Sequence, residues 1–358
     1  MRIGIIHPSQ KLSGGGERIC GYLARYLLQK GHDVTVFADQ DTLAYPEMFR
    51  SMRPQVARAK YEPRILDSKL FLPYKLWLYP FFFDYSKTDL LVDTVGDSLI
   101  HASLNKKVKA FYFHFPPPAK SNLSPGIRFR QALLSYYPRG LIDRASLRVS
   151  SGMRYACNSL YIQRLVESYY GIHPEIIRPP VDTDYFTPTR EPTEDFVLLT
   201  GRIVRFKKFE LALQHLEGEK VVLAGQRVDG NYYDELKERY PFVQFKLDVS
   251  DAELKRLYQN CRAYVFTNWE EHFGIVPFEA MSCERKVIVP ELCGASELIK
   301  DGENGFLVKK DFSDFSGKYQ QLVNAGRHVG QSARATVEDH LRVTVMESGF
   351  DRLLRGYL

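Results

Sequence analysis

Short, nearly unbroken apolar runs alternate along this chain with segments of helical period. Arg2–His7, Asp33–Ala38, Leu90–Val95, Val108–His114 and Tyr155–Asn158 predict strands. Arg18–Lys30 places Ile19, Leu23, Tyr26 and Leu27 on one face and predicts an amphipathic helix, as does Ser159–Tyr170. Strand, glycine loop, helix and strand in that order begin a parallel α/β sheet. The proline-rich, polar segment Arg178–Pro192 reads as a linker. A second alternation follows, with strands expected at Phe196–Thr200, Lys220–Leu223, Phe242–Leu247, Ala263–Thr267 and Lys286–Val289. Helices are expected at Phe209–His215, Asn231–Tyr240, Asp251–Cys261, Pro277–Cys283 and Ala295–Lys300. The last segment, Val343–Leu358, has a helical pattern and is expected to return to the first half. The pattern therefore predicts two doubly wound Rossmann-like domains facing a cleft, residues 1–185 with 343–358 and residues 186–342. Ligands of such sheets collect at the carboxyl ends of the strands.

A length of 358 residues suits two such domains, and 44% hydrophobic with 26% charged residues excludes a disordered chain. No apolar stretch approaches the 18 or so charge-free residues of a membrane span. The five cysteines form no C-x-x-C pair. Their odd count, with an N-terminus that reads as a strand, predicts a reducing, cytoplasmic compartment. The net charge of +6 hides an asymmetry: residues 1–180 carry 25 Lys and Arg against 14 Asp and Glu, and the remainder carry 24 against 29. The first half is expected to favour an anionic partner.

The most specific motif is Glu271-His-Phe-Gly-Ile-Val-Pro-Phe-Glu279. It places one carboxylate in the loop after a strand and another just inside a helix. Amides of Gly274 to Val276 at that helix start suit a diphosphate, and the flanking carboxylates suit sugar or ribose hydroxyls. Two surface glutamates at a helix start satisfy the same spacing. Gly201-Arg-Ile-Val-Arg-Phe-Lys-Lys208 follows a strand, and Arg202 and Lys207 there suit a phosphate pair; a solvated basic loop is the alternative. Gly14-Gly15-Gly16 lacks the third glycine of G-x-G-x-x-G, Ile19 standing in its place, and supports only a close backbone approach to a ligand. His114 ends a strand in Phe111-Tyr-Phe-His-Phe-Pro-Pro-Pro118 and either enters the cleft or packs in an aromatic core. Asp182-Thr-Asp184 has a metal-site spacing but lies in the linker, where it reads as a turn cap.

Glu271–Glu279 with Ala-Met after it, Cys293-Gly-Ala-Ser-Glu297 through Val308, Gly201-Arg202 with Lys207, Arg178-Pro-Pro-Val-Asp182 and Gly14–Arg18 together resemble the retaining GT-B glycosyltransferases of family 4. The resemblance covers nearly the whole chain and is strongest over 196–308. It implies a nucleotide-diphosphate sugar held by the second domain. Arg202 and Lys207 would neutralise the diphosphate, Glu271 would orient the sugar, and Phe273, Gly274 and Ile275 would offer amides. Glu279 would take the ribose, Gly15 and Gly16 would close over the phosphates, and His114 would stand near the reacting sugar. It also implies retention, an oxocarbenium-like transition state and no metal or other cofactor. Glu284-Arg-Lys286 departs from the family's small residues, and Lys246-Leu247 from its Leu-Gly, which leaves the base open. The wording is nearest to GDP-mannose-dependent mannosyltransferases.

Asn105–Arg154 carries ten Lys and Arg and one acid, Asp143, interleaved with Phe111, Tyr112, Phe113, Phe129, Tyr136 and Tyr137. Upstream, Phe71–Phe83 is an aromatic cluster broken by prolines. Together they predict a lipid-linked or glycan acceptor and peripheral docking on the cytoplasmic face of an anionic membrane. No nucleic-acid motif accompanies the charge. Alternatives are a UDP-sugar-dependent transferase, a sugar-nucleotide epimerase or isomerase, a Rossmann oxidoreductase and a non-catalytic sugar binder.

Overall fold

Seven strands build the first sheet: β1 (Arg2–Ile6), β2 (Asp33–Phe37), β3 (Gln55–Ala57), β4 (Leu90–Asp93), β5 (Val108–Phe113), β6 (Arg154–Cys157) and β7 (Glu175–Ile176). Their order is β3-β2-β1-β4-β5-β6-β7, and every neighbouring pair is parallel. The structure is a computed structural model that describes residues 1–7, 14–39, 53–58, 79–94, 99–115, 145–147, 152–191 and 193–358. Parallel strands are covered on both faces, so Ile3, Ile5, Ile6, Leu91 and Val92 are fully buried without alternation. Helix α1 (Gly15–Gln29) buries the predicted stripe of Ile19, Leu23, Tyr26 and Leu27. Further along, the described residues include α2 (Leu99–Leu104) and α3 (Leu160–Tyr170). The Ser159 hydroxyl accepts the Ile162 amide at the start of α3, and Gly171 ends it at φ 70°.

The second sheet holds β8 (Val197–Thr200), β9 (Val221–Gly225), β10 (Val243–Leu247), β11 (Ala263–Val265), β12 (Val287–Pro290) and β13 (Phe306–Val308), in the order β10-β9-β8-β11-β12-β13. It is again parallel throughout. Its helices are α4 (Glu210–Leu213), α5 (Gly230–Arg239), α6 (Asp251–Asn260), α7 (Val276–Ser282), α8 (Phe315–Asn324) and α9 (Arg327–Leu341). Cores lie on both faces, one around Tyr258, Tyr264 and Phe278 and the other around Leu199, Leu223, Phe312 and Phe315. The last helix, α10, spans Val343–Leu354.

The chain divides into two compact units, Met1–Pro179 with Met346–Leu358, and Pro180–Val345. From Met346 onward α10 packs with the first unit. Phe350 stacks on Tyr112 with centroids 6.1 Å apart, and Arg154 donates to the Leu353 carbonyl at 2.9 Å. The segment Ala295–Lys300, expected as an α-helix, is instead a 3-10 turn over Gly294–Leu298. Short β3, β7 and β13 carry two or three residues each, too few for a periodic signal.

Candidate functional site

The second sheet reverses direction between β8 and β11: one succession of strands runs outward from β8 through β9 to β10, the other from β11 through β12 to β13. Loops leaving the carboxyl ends of these two strands define the switch point where α/β sheets bind ligands. The β8 loop brings Lys207, and the β11 loop brings Glu271. Lys207 Nζ lies 2.6 Å from Glu271 Oε2, and Asn268 donates to the same oxygen at 3.0 Å. One residue along, Lys208 pairs with Glu270 at 3.1 Å and lies 3.5 Å over the Trp269 ring. The Thr267 hydroxyl donates to the Lys207 carbonyl at 2.6 Å. Consecutive residues of one loop thus pair with consecutive residues of the other, a two-rung latch that sets the position of both. Burial pushes the Glu271 carboxyl up, but the adjacent Lys207 ammonium and the Asn268 amide outweigh it, leaving the group below its ordinary value.

The four cations of the Arg202–Lys208 loop separate in space. Arg205 turns to Glu235 of α5 at 2.6 Å, and Lys207 and Lys208 are latched. Arg202 is exposed, 6.0 Å from the Phe206 ring, and pairs with no carboxylate among the described residues.

The stretch after Glu271 is held by a residue outside the motif. The Gly294 amide donates to the Glu271 carbonyl at 2.8 Å, and a Cβ on Gly294 would stand 2.0 Å from the His272 carbonyl oxygen. Only glycine permits this approach. Phe273 is buried and packs on Phe278, so its side chain belongs to the core and only its backbone can serve a ligand. The amides of Gly274, Ile275 and Val276 have no protein acceptor among the described residues. Glu279 is 3% exposed and accepts the Tyr258 hydroxyl at 3.0 Å. Tyr258 and Tyr264 both reach Thr200 Oγ1, at 3.3 and 3.1 Å, so the carboxylate belongs to a buried polar network under β8 and β11. Spacing alone places Glu279 just inside the helix, as a carboxylate flanking the site. The sequence carried no signal of its tyrosine anchor, because the partners lie on three other elements.

In the first unit the corresponding strand ends are those of β1, β4 and β5. They carry His7, Thr94 and His114. His7 and His114 meet edge to face with centroids 6.0 Å apart, both 6% exposed. Gly16 lies against them: a Cβ there would stand 3.3 Å from His7 Cε1 and 3.6 Å from His114 Nε2, while Gly15 faces open space. The two glycines therefore differ in role. Gly16 makes room for the imidazoles, and Gly15 is the exposed one at the start of α1. His7 was not among the residues singled out from the sequence.

Two expectations need correction. Phe111, Tyr112 and Phe113 are buried in β5 and form no aromatic surface. Lys107 and Arg154 are not free basic charges either. Lys107 Nζ donates to the carbonyls of Tyr85, Ser86 and Thr88, and Arg154 holds α10. Residues 71–78 of the aromatic cluster, with Phe129, Tyr136, Tyr137 and the bases of 116–144, lie outside the described residues. Asp182 is a turn cap, its Oδ1 accepting the Tyr185 amide at 2.9 Å.

Two parallel doubly wound units with these strand orders define a GT-B fold. Solved structures similar over the whole chain share it. Sucrose-phosphate synthase of Thermosynechococcus elongatus superposes with a TM-score of 0.78 at 17% identity, covering 99% of this chain and 98% of that one. Anabaena HepE in complex with UDP gives 0.74 at 16% identity, covering 99% of both. Residues 13–185 match the family model "Glycosyltransferase Family 4", and residues 182–334 match "Glycosyl transferases group 1". The chain belongs to the family 4, or group 1, glycosyltransferases. A curated relative, alpha-1,3/1,6-mannosyltransferase ALG2 of Dictyostelium discoideum, is 24% identical over 90% of each chain.

Proposed function

We propose that this glycosyltransferase moves mannose from GDP-mannose, with retention and without a metal, to a lipid-linked or glycan acceptor at the cytoplasmic face of a membrane. The observation that carries the reading is the latched Lys207–Glu271 pair at the switch point of the second sheet, with three amides nearby in the chain that have no protein acceptor among the described residues. The choice of mannose leans on similarity to ALG2, named a mannosyltransferase.

In this reading the donor diphosphate displaces Glu271 from Lys207. Lys207, Arg202 and the amides of Gly274 to Val276 then take up the charge that grows on the leaving diphosphate. These groups are oriented before the reaction, so little reorganisation accompanies bond breaking. Released from its ion pair, Glu271 accepts hydroxyls of the sugar, and Glu279, anchored by Tyr258, is assigned the ribose. His114 is assigned the reacting sugar, and Gly15 and Gly16 the phosphates. The chain's own cations do what a metal does elsewhere, and transfer is expected to persist in excess chelator.

A thermal-shift panel of GDP-, UDP- and ADP-sugars, followed by transfer with the stabilising donor to lipid-linked acceptors, tests the reading. GDP-mannose is expected to stabilise most, and the product anomer, read by NMR, to match the donor's. Stabilisation by UDP-sugars alone would replace the base assignment. Conversion of the donor with no acceptor present would favour an epimerase.

A further inference from the structure

We infer that Lys208, Trp269 and Glu270 are positioning residues: they keep the β8 and β11 loops joined, and so keep Lys207 in place, once an arriving diphosphate has drawn Lys207 away from Glu271. The inference rests on the transferase reading above, but its central claim concerns where the Lys207 side chain sits and is measurable without any donor.

The starting point is a strained backbone. Lys208 ends the 3-10 turn Arg205–Lys207 at φ 56° and ψ 41°, in the left-handed region. A side chain is disfavoured there, whereas glycine takes the same conformation freely. Strain of this kind persists only where the surroundings over-determine it. Here the side chain itself supplies the reason. The Lys208 ammonium stands 3.5 Å from the centroid of the Trp269 ring and 3.1 Å from Glu270 Oε2. With the side chain only 21% exposed, ring and carboxylate act on a charge largely withdrawn from water, where both attractions are stronger than on an open surface. Glu270 is fixed in turn, its amide donating to the Asn268 side-chain oxygen at 3.2 Å. A glycine at 208 would relieve the backbone and remove the whole connection.

The two rungs of the latch respond differently to an anion. At Lys207 a phosphate competes with one carboxylate, that of Glu271, and takes its place. At Lys208 the ammonium is also seated on the indole, and an anion can displace a carboxylate from a cation but has no means of replacing the face of a ring. The second rung therefore stays closed when the first opens. Lys208 then fixes the end of the turn that carries Lys207, and the Thr267 hydroxyl fixes the Lys207 carbonyl at 2.6 Å. The Lys207 side chain has only its own rotamers to search, not those of a loose loop, which lowers the entropy lost when it meets the ligand.

Carbon-13-edited spectra of lysine-labelled protein test this without a donor. The methylene beside the Lys208 ammonium is expected to be shifted upfield by the Trp269 ring. That of Lys207 should be shifted by Phe206 and Phe266, whose ring centroids lie 5.3 and 5.9 Å from its nitrogen. In Glu271→Ala, which opens the first rung, both shifts are expected to remain; loss of either would overturn the inference. Adding Lys208→Gly to Glu271→Ala should move the Lys207 signal to the position of a free lysine, and an unmoved signal would equally overturn it. Calorimetry with inorganic diphosphate gives the second reading. Lys208→Gly and Trp269→Leu should each lose about tenfold in affinity, while Lys208→Arg, which keeps both contacts, should stay within about twofold of wild type. Trp269→Leu leaves every charge in place, so its loss is not that of a cation. Lys208→Gly should melt near the wild-type temperature, relief of strain offsetting the lost contacts, which separates weakened binding from a damaged fold. Unchanged affinity in Lys208→Gly and Trp269→Leu, or equal loss in Lys208→Arg, would sink the positioning role. If wild type binds no diphosphate, the donor reading fails, and the lysine spectra still decide whether the second rung holds Lys207.

Discussion

Lys207 and Glu271 neutralise each other in the unliganded chain, which sets what their substitutions will do. In Lys207→Ala the diphosphate loses one charge-assisted hydrogen bond, so calorimetric affinity for a nucleoside diphosphate should fall by about 10- to 100-fold. Glu271→Gln should show a pH-dependent deficit in stability. The Glu271 carboxyl titrates below its unfolded-state value, so its contribution is present above that value and is lost as pH falls through the folded one. Urea midpoints of wild type and Glu271→Gln are therefore expected to differ at pH 7 and to converge as pH falls below the ordinary carboxylate range. His7 and His114 likewise favour the deprotonated form. Their folded pKa values are lowered, so below about 6.5 the unfolded chain binds protons that the folded chain refuses, and stability falls as pH drops toward the folded values. Each ring contributes a slope of about 1.4 kcal/mol per pH unit in that window. Replacing both by Asn should flatten the acid limb of a Tm-against-pH plot between about pH 6.5 and 4. The residue types of the donor motif were legible in the sequence, but the latch was not. Which of Arg202, Arg205, Lys207 and Lys208 is left unpaired depends on carboxylates from α5 and the β11 loop that stand far away in the chain.

At the scale of elements, Gly294 and α10 carry the clearest consequences. The Gly294 amide holds the Glu271 carbonyl, and a methyl group there would collide with backbone that has little freedom to retreat. Gly294→Ala is expected to lower Tm and to weaken donor binding together. Phe350 of α10 is fully buried against Tyr112. Phe350→Ala should cost about 3–5 kcal/mol in chemical denaturation, the usual result of truncating a core phenylalanine. Periodicity located the long elements because a buried helix face and a two-sided parallel strand each leave a run of several apolar residues. It failed at Ala295–Lys300, where a 3-10 turn docks on the 271–274 loop, and at the strands of two or three residues. A short element is selected by its neighbours, since its own few residues bury too little to fix a conformation.

For the molecule as a whole, the lopsided charge survives as a property of the chain, yet its meaning narrows. Of the described bases, Lys107 and Arg154 are spent on backbone carbonyls, so a membrane-facing role would rest on other bases of the first half. If that role holds, co-sedimentation with phosphatidylserine vesicles should weaken steeply as salt rises and the Debye length shrinks from about 10 Å to 3 Å. Binding indifferent to salt and to lipid charge would remove the membrane from the reading. Two doubly wound sheets, the glycine loop and the donor motif could be read from order and spacing, because each rests on residues adjacent in the chain. The pairing of Lys207 with Glu271, the burial of Glu279 under Tyr258 and the seating of Gly16 on two imidazoles could not. Each joins groups on different elements that only the tertiary structure brings side by side, Lys207 and Glu271 being 64 residues apart in the chain and Tyr258 and Glu279 21, and no local pattern encodes such a contact.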